Sequence, residues 1–307
     1  MKWKMFFVTL AVLLAISSAV LAAEGLKGHS IKVDKNDNDW IGTPAEQENS
    51  AIVSSGEFIW LDAKGDDTGS GKYTYPTSKD IAKGADLREF RVTWDKYNVY
   101  FLIKTSRPGN WWAPYRIIGI HKEGVEGGTT VLGQGDPDEM DPEGGCFGEI
   151  KVDPSLACQY VIGIASTYKM WMWDAKGKTI GRATGEKSTD TPGFLVADDN
   201  WNAVEIAVPV ELIGNPAGQT WKIVVGTGLQ DADHFREVYE DATEWHGGGG
   251  EGDEDESGSD PDIYDLASPG MEIQEKELGS YKSSAHAGDP DGFCTIKDSF
   301  VTVTFAK

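Results

Sequence analysis

Apolar and aromatic residues along this chain fall in short runs, separated by stretches rich in glycine and acidic residues. β-Branched and aromatic side chains dominate these runs, and a 3.6-residue helical period is largely missing. Short strands at this spacing predict an all-β protein, an antiparallel β-sandwich with long acidic loops. The runs lie at 87–94, 97–104, 115–121, 159–165, 168–173, 201–209, 221–228 and 299–306.

The first residues have a different pattern from the rest. Two lysines precede an apolar run that ends near Val20, and small residues follow at Ala22 and Ala23. This order is typical of a secretory signal peptide, and no second such run follows. We therefore expect a secreted, extracellular protein, free or held at the cell surface, without a membrane span after cleavage. The predicted signal peptide covers residues 1–23, and a single β-sandwich domain covers residues 24–307. Within this domain, an acidic insert is predicted near 247–262 and a C-terminal strand at 299–306.

The C-terminal strand has high β-propensity from residue 299 to residue 306. Two roles are open to it. It either closes the sandwich or pairs with a neighbouring copy and so forms a homo-oligomer.

The charge of the chain restricts its partners. Lysine and arginine number 28 against 50 aspartates and glutamates, which gives a formal net charge of −22. Such a surface repels nucleic acids and anionic lipids. It permits uncharged glycans and divalent cations as partners.

Three cysteines in an exported chain leave one over if two of them pair. Cys146 and Cys158 bracket a short loop and make the favoured disulfide. Cys294 lies far away in sequence and could equally be a partner.

An acidic, glycine-rich loop follows the apolar residues 58–60. Asp62, Asp66 and Asp67 place three carboxylates within six residues, and Gly69-Ser70-Gly71 follows. Carboxylates this close repel unless a cation lies between them. Calcium takes several oxygen ligands at once and suits such a loop. A solvated acidic turn is the alternative.

A second acidic stretch runs from Asp253 to Asp262 and opens with the pattern Asp-x-Asp-x-Ser-Gly. This opening resembles a calcium loop, but Tyr264 occupies the twelfth position, where an EF-hand carries glutamate. Two interpretations remain, a second ion site with Asp253, Asp255 and Asp260 as ligands or a disordered acidic insert.

Two pairs of tryptophans are candidates for sugar contact, because flat aromatic rings offer apolar area to sugar faces. Trp111 and Trp112 lie in a loop between glycine and proline, and Trp171 and Trp173 share one face of a predicted strand. Core packing is the alternative role for each.

Catalytic motifs are not found in the sequence. It has no Gly-x-Ser-x-Gly and no His-Glu-x-x-His, and its five histidines are scattered. We therefore do not expect an enzyme.

Several motifs occur together in one known family. They are Val33-Asp34, Asp39-Trp40, the loop from Asp62 to Pro76, Asp86-Leu87, Asn98-Val99-Tyr100-Phe101, Arg236-Glu237-Val238, Ala242-Thr243-Glu244-Trp245, Pro261-Asp262-Ile263-Tyr264-Asp265-Leu266 and Ser280-Tyr281. With these motifs the chain resembles the C-terminal module of glucodextranase, which recurs at the ends of secreted amylopullulanases.

That resemblance implies a jelly-roll sandwich akin to DOMON and family 9 carbohydrate-binding modules. It also implies a non-catalytic role at a glycan or cell surface, with calcium in the acidic loop. The implied ligands are Asp62, Asp66 and Asp67, extended to Asp86.

Two functions follow from the sequence. The first is a secreted, calcium-stabilised module that binds polysaccharide or surface glycan. The second is a self-assembling subunit of an extracellular filament, tube or surface layer, joined by calcium and strand exchange.

Overall fold

A computed structural model describes most of the chain. The described residues are 25–81, 84–106, 114–132, 150–165, 169–184, 191–198, 202–231, 234–250, 261–281 and 294–307. Among them, no helix has the length and apolar character needed to cross a membrane. The predicted signal peptide at 1–23 lies outside these residues.

Strands dominate the described part of the chain. They are β1 (Ser50–Ser54), β2 (Glu57–Leu61), β3 (Leu87–Trp94), β4 (Asn98–Thr105), β5 (Tyr115–Lys122), β6 (Val131–Leu132), β7 (Ile150–Val152), β8 (Tyr160–Ala165), β9 (Lys169–Asp174), β10 (Thr179–Thr184), β11 (Leu195–Asp198), β12 (Ala203–Pro209), β13 (Thr220–Gly228), β14 (Gln230–Asp231), β15 (His234–Phe235), β16 (Val238–Tyr239), β17 (Gly247–Gly248), β18 (Asp265–Leu266), β19 (Cys294–Ile296) and β20 (Val301–Thr304). The helices are α1 (Val210–Ile213) and α2 (Met271–Leu278), with 3₁₀ turns at Asp37–Asp39 and Pro154–Leu156.

Two antiparallel sheets form the sandwich. The first has the order β1-β2-β3-β4-β12-β11, and the second has the order β10-β9-β8-β5-β13-β18, with β20 also paired to β13. The predicted hairpin of runs 159–165 and 168–173 is confirmed as β8 and β9. The all-β sandwich predicted from the sequence is therefore confirmed.

The main core lies between these sheets. Phe90 and Phe101 of the first sheet stack with ring centroids 6.1 Å apart, and they share one buried cluster with Ile162, Met172 and Trp221 of the second sheet. Strand alternation explains this arrangement, because every second side chain of each strand points to the facing sheet.

A second core covers the outer face of the second sheet. Trp171 and Trp173 of β9 are 3% and 2% exposed there, under β6, β7, β19 and α2. No ring face of either indole is left open to a sugar, so we reassign both residues from sugar contact to packing. Strand β9 is apolar on both faces because one face packs in the main core and the other packs in the second core.

Cys158 belongs to the second core and carries a free thiol. Its Sγ lies 3.3 Å from the carbonyl oxygen of Leu156, and burial raises the pKa of the thiol to about 12. The predicted Cys146–Cys158 disulfide is therefore wrong for this structure. Cys146 itself lies outside the described residues, and Cys294 is buried in the same cluster.

The C-terminal strand pairs within the chain. Residues Thr220 to Ile223 of β13 face Thr304 to Val301 of β20 in antiparallel register. Of the two roles predicted for this strand, closure of the sandwich is the one observed.

Candidate metal centre

Three aspartates meet where the two sheets come together at one end of the sandwich. Asp62 follows β2, Asp265 opens β18, and Asp66 lies in the loop after β2. One carboxylate oxygen of each lies within 4.8 Å of the others. All three side chains are buried, with exposures of 1%, 4% and 0% for Asp62, Asp66 and Asp265.

The loop after β2 is held by its own backbone. The amide of Thr68 donates to the carbonyl oxygen of Asp66 at 2.7 Å, and the amide of Tyr73 donates to that of Thr68 at 3.0 Å. Gly69 has a φ of +55°, and a Cβ there would lie 2.2 Å from the Tyr73 ring. Only glycine fits at this position, so the sequence dictates the turn that brings Asp66 inward.

Helix α2 supports the loop from behind. Gln274 is fully buried, and its Nε2 donates to the carbonyl oxygen of Asp66 at 2.6 Å. Its Oε1 accepts from the amide of Leu266 at 2.8 Å. One amide side chain therefore connects the acidic loop to the strand that carries Asp265.

Two of the three carboxylates, those of Asp62 and Asp265, accept hydrogen bonds from neighbouring groups. Asp62 Oδ1 accepts from the indole of Trp60 at 2.6 Å. Asp265 accepts from the amides of Leu87 and Leu266 at 2.7 and 2.8 Å. Within the described structure, Asp62 Oδ2 and Asp66 Oδ1 are buried without a hydrogen-bond partner. These two oxygens retain unused acceptor capacity.

Asp86 and Asp67 border the cluster. Asp86 accepts from the amide of Gly65 at 3.2 Å and pairs with Arg88 at 3.2 Å. Asp67 accepts from the Tyr75 hydroxyl. Both carboxylates therefore already have a donor.

The pKa values of the clustered carboxyls are shifted upward. Burial, followed by the charge of Asp66, raises the pKa of Asp62 well above its usual range. Burial, followed by the charge of Asp62, does the same to the pKa of Asp265, and burial raises the pKa of Asp66 to about 6. Each shift has the same physical origin, a carboxylate that has lost water and faces other negative charges.

The geometry fits a hard divalent cation. Calcium holds oxygen ligands at about 2.4 Å, so two ligands on opposite sides of it lie about 4.8 Å apart. The three aspartates satisfy that limit, and the unpartnered Oδ2 of Asp62 and Oδ1 of Asp66 supply acceptors. The buried hydroxyls of Thr68 and Ser70, which have no hydrogen-bond partner among the described residues, add oxygen donors in the same loop.

Comparison with protein families identifies this architecture. Residues 59–123 and 137–289 match the C-terminal, SLH-like binding module of glucodextranase, which is more than half of the chain. The chain belongs to this family. No curated protein sequence matches it. All three clustered aspartates lie inside the matched segments of this binding module.

The structure of the binding module brings together only part of the predicted ligand set. Asp62 and Asp66 are in the cluster, while Asp86 and Asp67 lie beside it with other partners. Asp265 was not predicted. Its signal in the sequence is a single carboxylate between Tyr264 and Leu266, an ionisable residue inside an apolar run.

Several predicted positions of the module fall outside the described residues. They are the second acidic site at Asp253, Asp255 and Asp260, and the loop tryptophans Trp111 and Trp112. Their predicted roles stay predictions.

Proposed function

We propose that this protein is a secreted, non-catalytic calcium-binding module that holds polysaccharide or cell-surface glycan. The observation that carries the calcium part is the buried group of Asp62, Asp66 and Asp265, with oxygens within 4.8 Å of one another. Membership of a family of binding modules supports the glycan part.

Calcium would act as a structural cross-link. Asp62 and Asp66 lie in the loop that follows β2 of the first sheet, and Asp265 lies in β18 of the second. A divalent ion shared by them would offset two of the three buried negative charges and fasten the two sheets at this end. The chemistry that the ion would supply is electrostatic, and the amides of Leu87 and Leu266 hold the Asp265 carboxylate in place within the cluster.

A binding role suits the family better than a catalytic one. The name of the parent enzyme, glucodextranase, points to glucans as the class of ligand. The clustered aspartates are buried, whereas the two carboxyl groups of a glycosidase flank a bond of the substrate. We therefore assign these residues to stability, and membership of the same family supports an extracellular, cell-surface location as part of the proposal.

In the filament alternative, strand exchange through β20 would have to replace or extend its pairing with β13 of its own chain. Sedimentation in millimolar calcium tests it directly. Growth to large species would favour the building block over the binding module.

Two measurements test the proposed function. Calcium titration of chelator-treated protein by calorimetry should show saturable binding that Asp62→Asn removes and that Asp298→Asn, an exposed control, leaves intact. Affinity electrophoresis through dextran, pullulan or amylopectin should retard the protein. No calcium binding would refute the metal centre, and no retardation by any of these glucans would refute their recognition.

A further inference from the structure

Trp245 differs from the other tryptophans whose side chains the structure describes. Its side chain is 40% exposed, whereas the indoles of Trp40, Trp60, Trp171 and Trp221 are at most 7% exposed. A single exposed apolar residue needs no explanation by itself. The backbone that carries Trp245, however, does need an explanation.

The turn from residue 243 to residue 246 is held at every carbonyl. The carbonyl oxygens of Thr243 and Glu244 accept from the amides of Thr77 and Ser78 at 2.9 and 3.1 Å. Two further bonds complete the set, from Arg236 Nη1 to the oxygen of Trp245 at 3.1 Å and from the amide of Thr243 to the oxygen of His246 at 3.0 Å. Arg236 is 3% exposed, so this support is itself buried.

The Thr243 hydroxyl fixes the turn from inside. Its Oγ1 accepts from the amides of Trp245 and His246 at 3.2 and 3.0 Å. The His246 ring stacks on Tyr239 with centroids 4.1 Å apart. The backbone is therefore held at the point that carries a partly exposed indole, and a preorganised backbone reduces the entropy lost when that position binds a ligand.

The turn is also tied to the metal centre. Thr74, in the chain that leaves the acidic loop, exchanges two backbone hydrogen bonds with Gly248, at 2.8 and 3.0 Å. The Tyr264 hydroxyl donates to the oxygen of Thr74 at 3.1 Å, and Asp265 is the next residue. An ion at the aspartates would thus stabilise the base on which the Trp245 turn rests.

The surroundings of Trp245 indicate the ligand. Glu240, Asp241 and Glu244 are exposed within five residues of it and repel anions. Their carboxylates accept hydrogen bonds from hydroxyl groups, while the indole face takes apolar C–H surface. A neutral sugar ring presents both kinds of group.

We propose that Trp245 is the stacking residue of a binding site for neutral polysaccharide, presented by the 243–246 turn. This inference rests on the proposed function and adds to it the residue that contacts the glycan. Trp245 lies outside the buried aspartate cluster, so sugar binding and calcium binding are separable by mutation.

Affinity electrophoresis through the glucan gel that retards the wild-type protein most strongly tests this inference. Trp245→Ala should weaken binding at least tenfold, and Trp245→Tyr should keep a substantial part of it. Tyr97→Ala is the matched control, because Tyr97 is 64% exposed at the opposite end of β3 from Asp86. Both Trp245 variants should keep the calcium-dependent rise in melting temperature.

The possible failures are distinct. Wild-type protein that no glucan retards would contradict the recognition of glucans stated under the proposed function. Retardation that is equal in wild type, Trp245→Ala and Trp245→Tyr would overturn the assignment of Trp245 alone. Equal loss in Tyr97→Ala would also overturn it, since the effect would then not be specific to the turn.

Discussion

Two groups of buried carboxylates differ in how their charge is compensated, one on β2 and β3 of the first sheet and one where the loop after β2 meets β18 of the second sheet. Glu57 of β2 is fully buried, and it accepts from the amides of Ile41 and Gly42 at 2.6 and 3.0 Å and from Arg91 at 2.7 Å. Arg91 also pairs with Glu89 at 2.8 Å. In this group every buried negative charge faces a cation or a backbone donor.

The aspartate cluster has hydrogen-bond donors on Asp62 and Asp265 but no ion pair with a cation among the described residues. Arg88 pairs with Asp86 at its border, and two oxygens of the cluster, on Asp62 and Asp66, have no donor. A fold does not leave three desolvated carboxylates adjacent without protons or a cation, because each buried charge costs several kcal/mol. The contrast therefore separates a charge network that is compensated by its own cation from one that must hold protons or a cation.

The largest effect should come from breaking the network that is compensated by its own cation. Arg91→Met would remove the buried arginine from Glu57 and leave Glu89 with Lys104 at 3.4 Å as its cation, and we expect a loss of about 3–5 kcal/mol in the free energy of unfolding. Urea denaturation in calcium and in chelator measures it. The loss should be the same in both, because Arg91 is not part of the aspartate cluster; a loss that calcium reverses would contradict the distinction between the two groups.

Asp265→Asn should give an effect whose size depends on calcium. In chelator the variant removes one of three repelling charges but also one hydrogen bond, because asparagine cannot accept from both the Leu87 and the Leu266 amide, so its stability should be close to that of the wild type. In calcium at about 100 times the dissociation constant, the wild type should gain about 2.7 kcal/mol that the variant lacks. Thermal melts in both conditions measure the difference, with Asp298→Asn as the exposed control. A calcium-dependent rise in melting temperature that is equal in Asp265→Asn and Asp298→Asn would refute the metal centre.

The pH dependence of the free energy of unfolding should also change sign when calcium is added. The pKa of Asp66 is raised to about 6, against about 3.9 in an unfolded chain. Folded, metal-free protein therefore holds a proton that the unfolded chain has released, and its stability should fall by about 1–2 kcal/mol as pH rises from about 4 to about 6. With calcium the stability should rise over the same window, because the ion binds deprotonated ligands. Parallel curves with and without calcium would contradict this.

Sequence patterns predicted the sandwich because its strands are apolar on alternating faces, and the structure confirms the hairpin of β8 and β9. The same patterns could not distinguish a strand face that packs in a core from a strand face that binds a ligand. The outer face of β9 is covered by β7 and β19, a parallel pair that joins segments more than 140 residues apart. No local signal in the sequence specifies such a pairing.

The candidate metal centre, like the fold, was predictable where its residues are close in sequence and not where they are far apart. Asp62 and Asp66 lie in one loop, and charge density alone indicated them. Asp265 is about 200 residues away and reaches the cluster only through the pairing of β18 with β13. Helix α2, which supplies Gln274 to the loop, was not predicted either, because its eight residues have no caps other than flanking glycines.

The smallest predicted effect distinguishes an indole that orients a ligand from one that only packs. Trp60 donates its indole N–H to Asp62 at 2.6 Å, and Trp94 donates its own to the carbonyl oxygen of Leu26 at 2.8 Å. Phenylalanine at either position should cost about 1 kcal/mol through the lost hydrogen bond. Trp60→Phe should in addition weaken calcium binding about tenfold, since a donor that orients a metal ligand tunes affinity. Calorimetric titration of both variants measures this, and an equal affinity for calcium in the two would mean that the Trp60 indole serves packing alone.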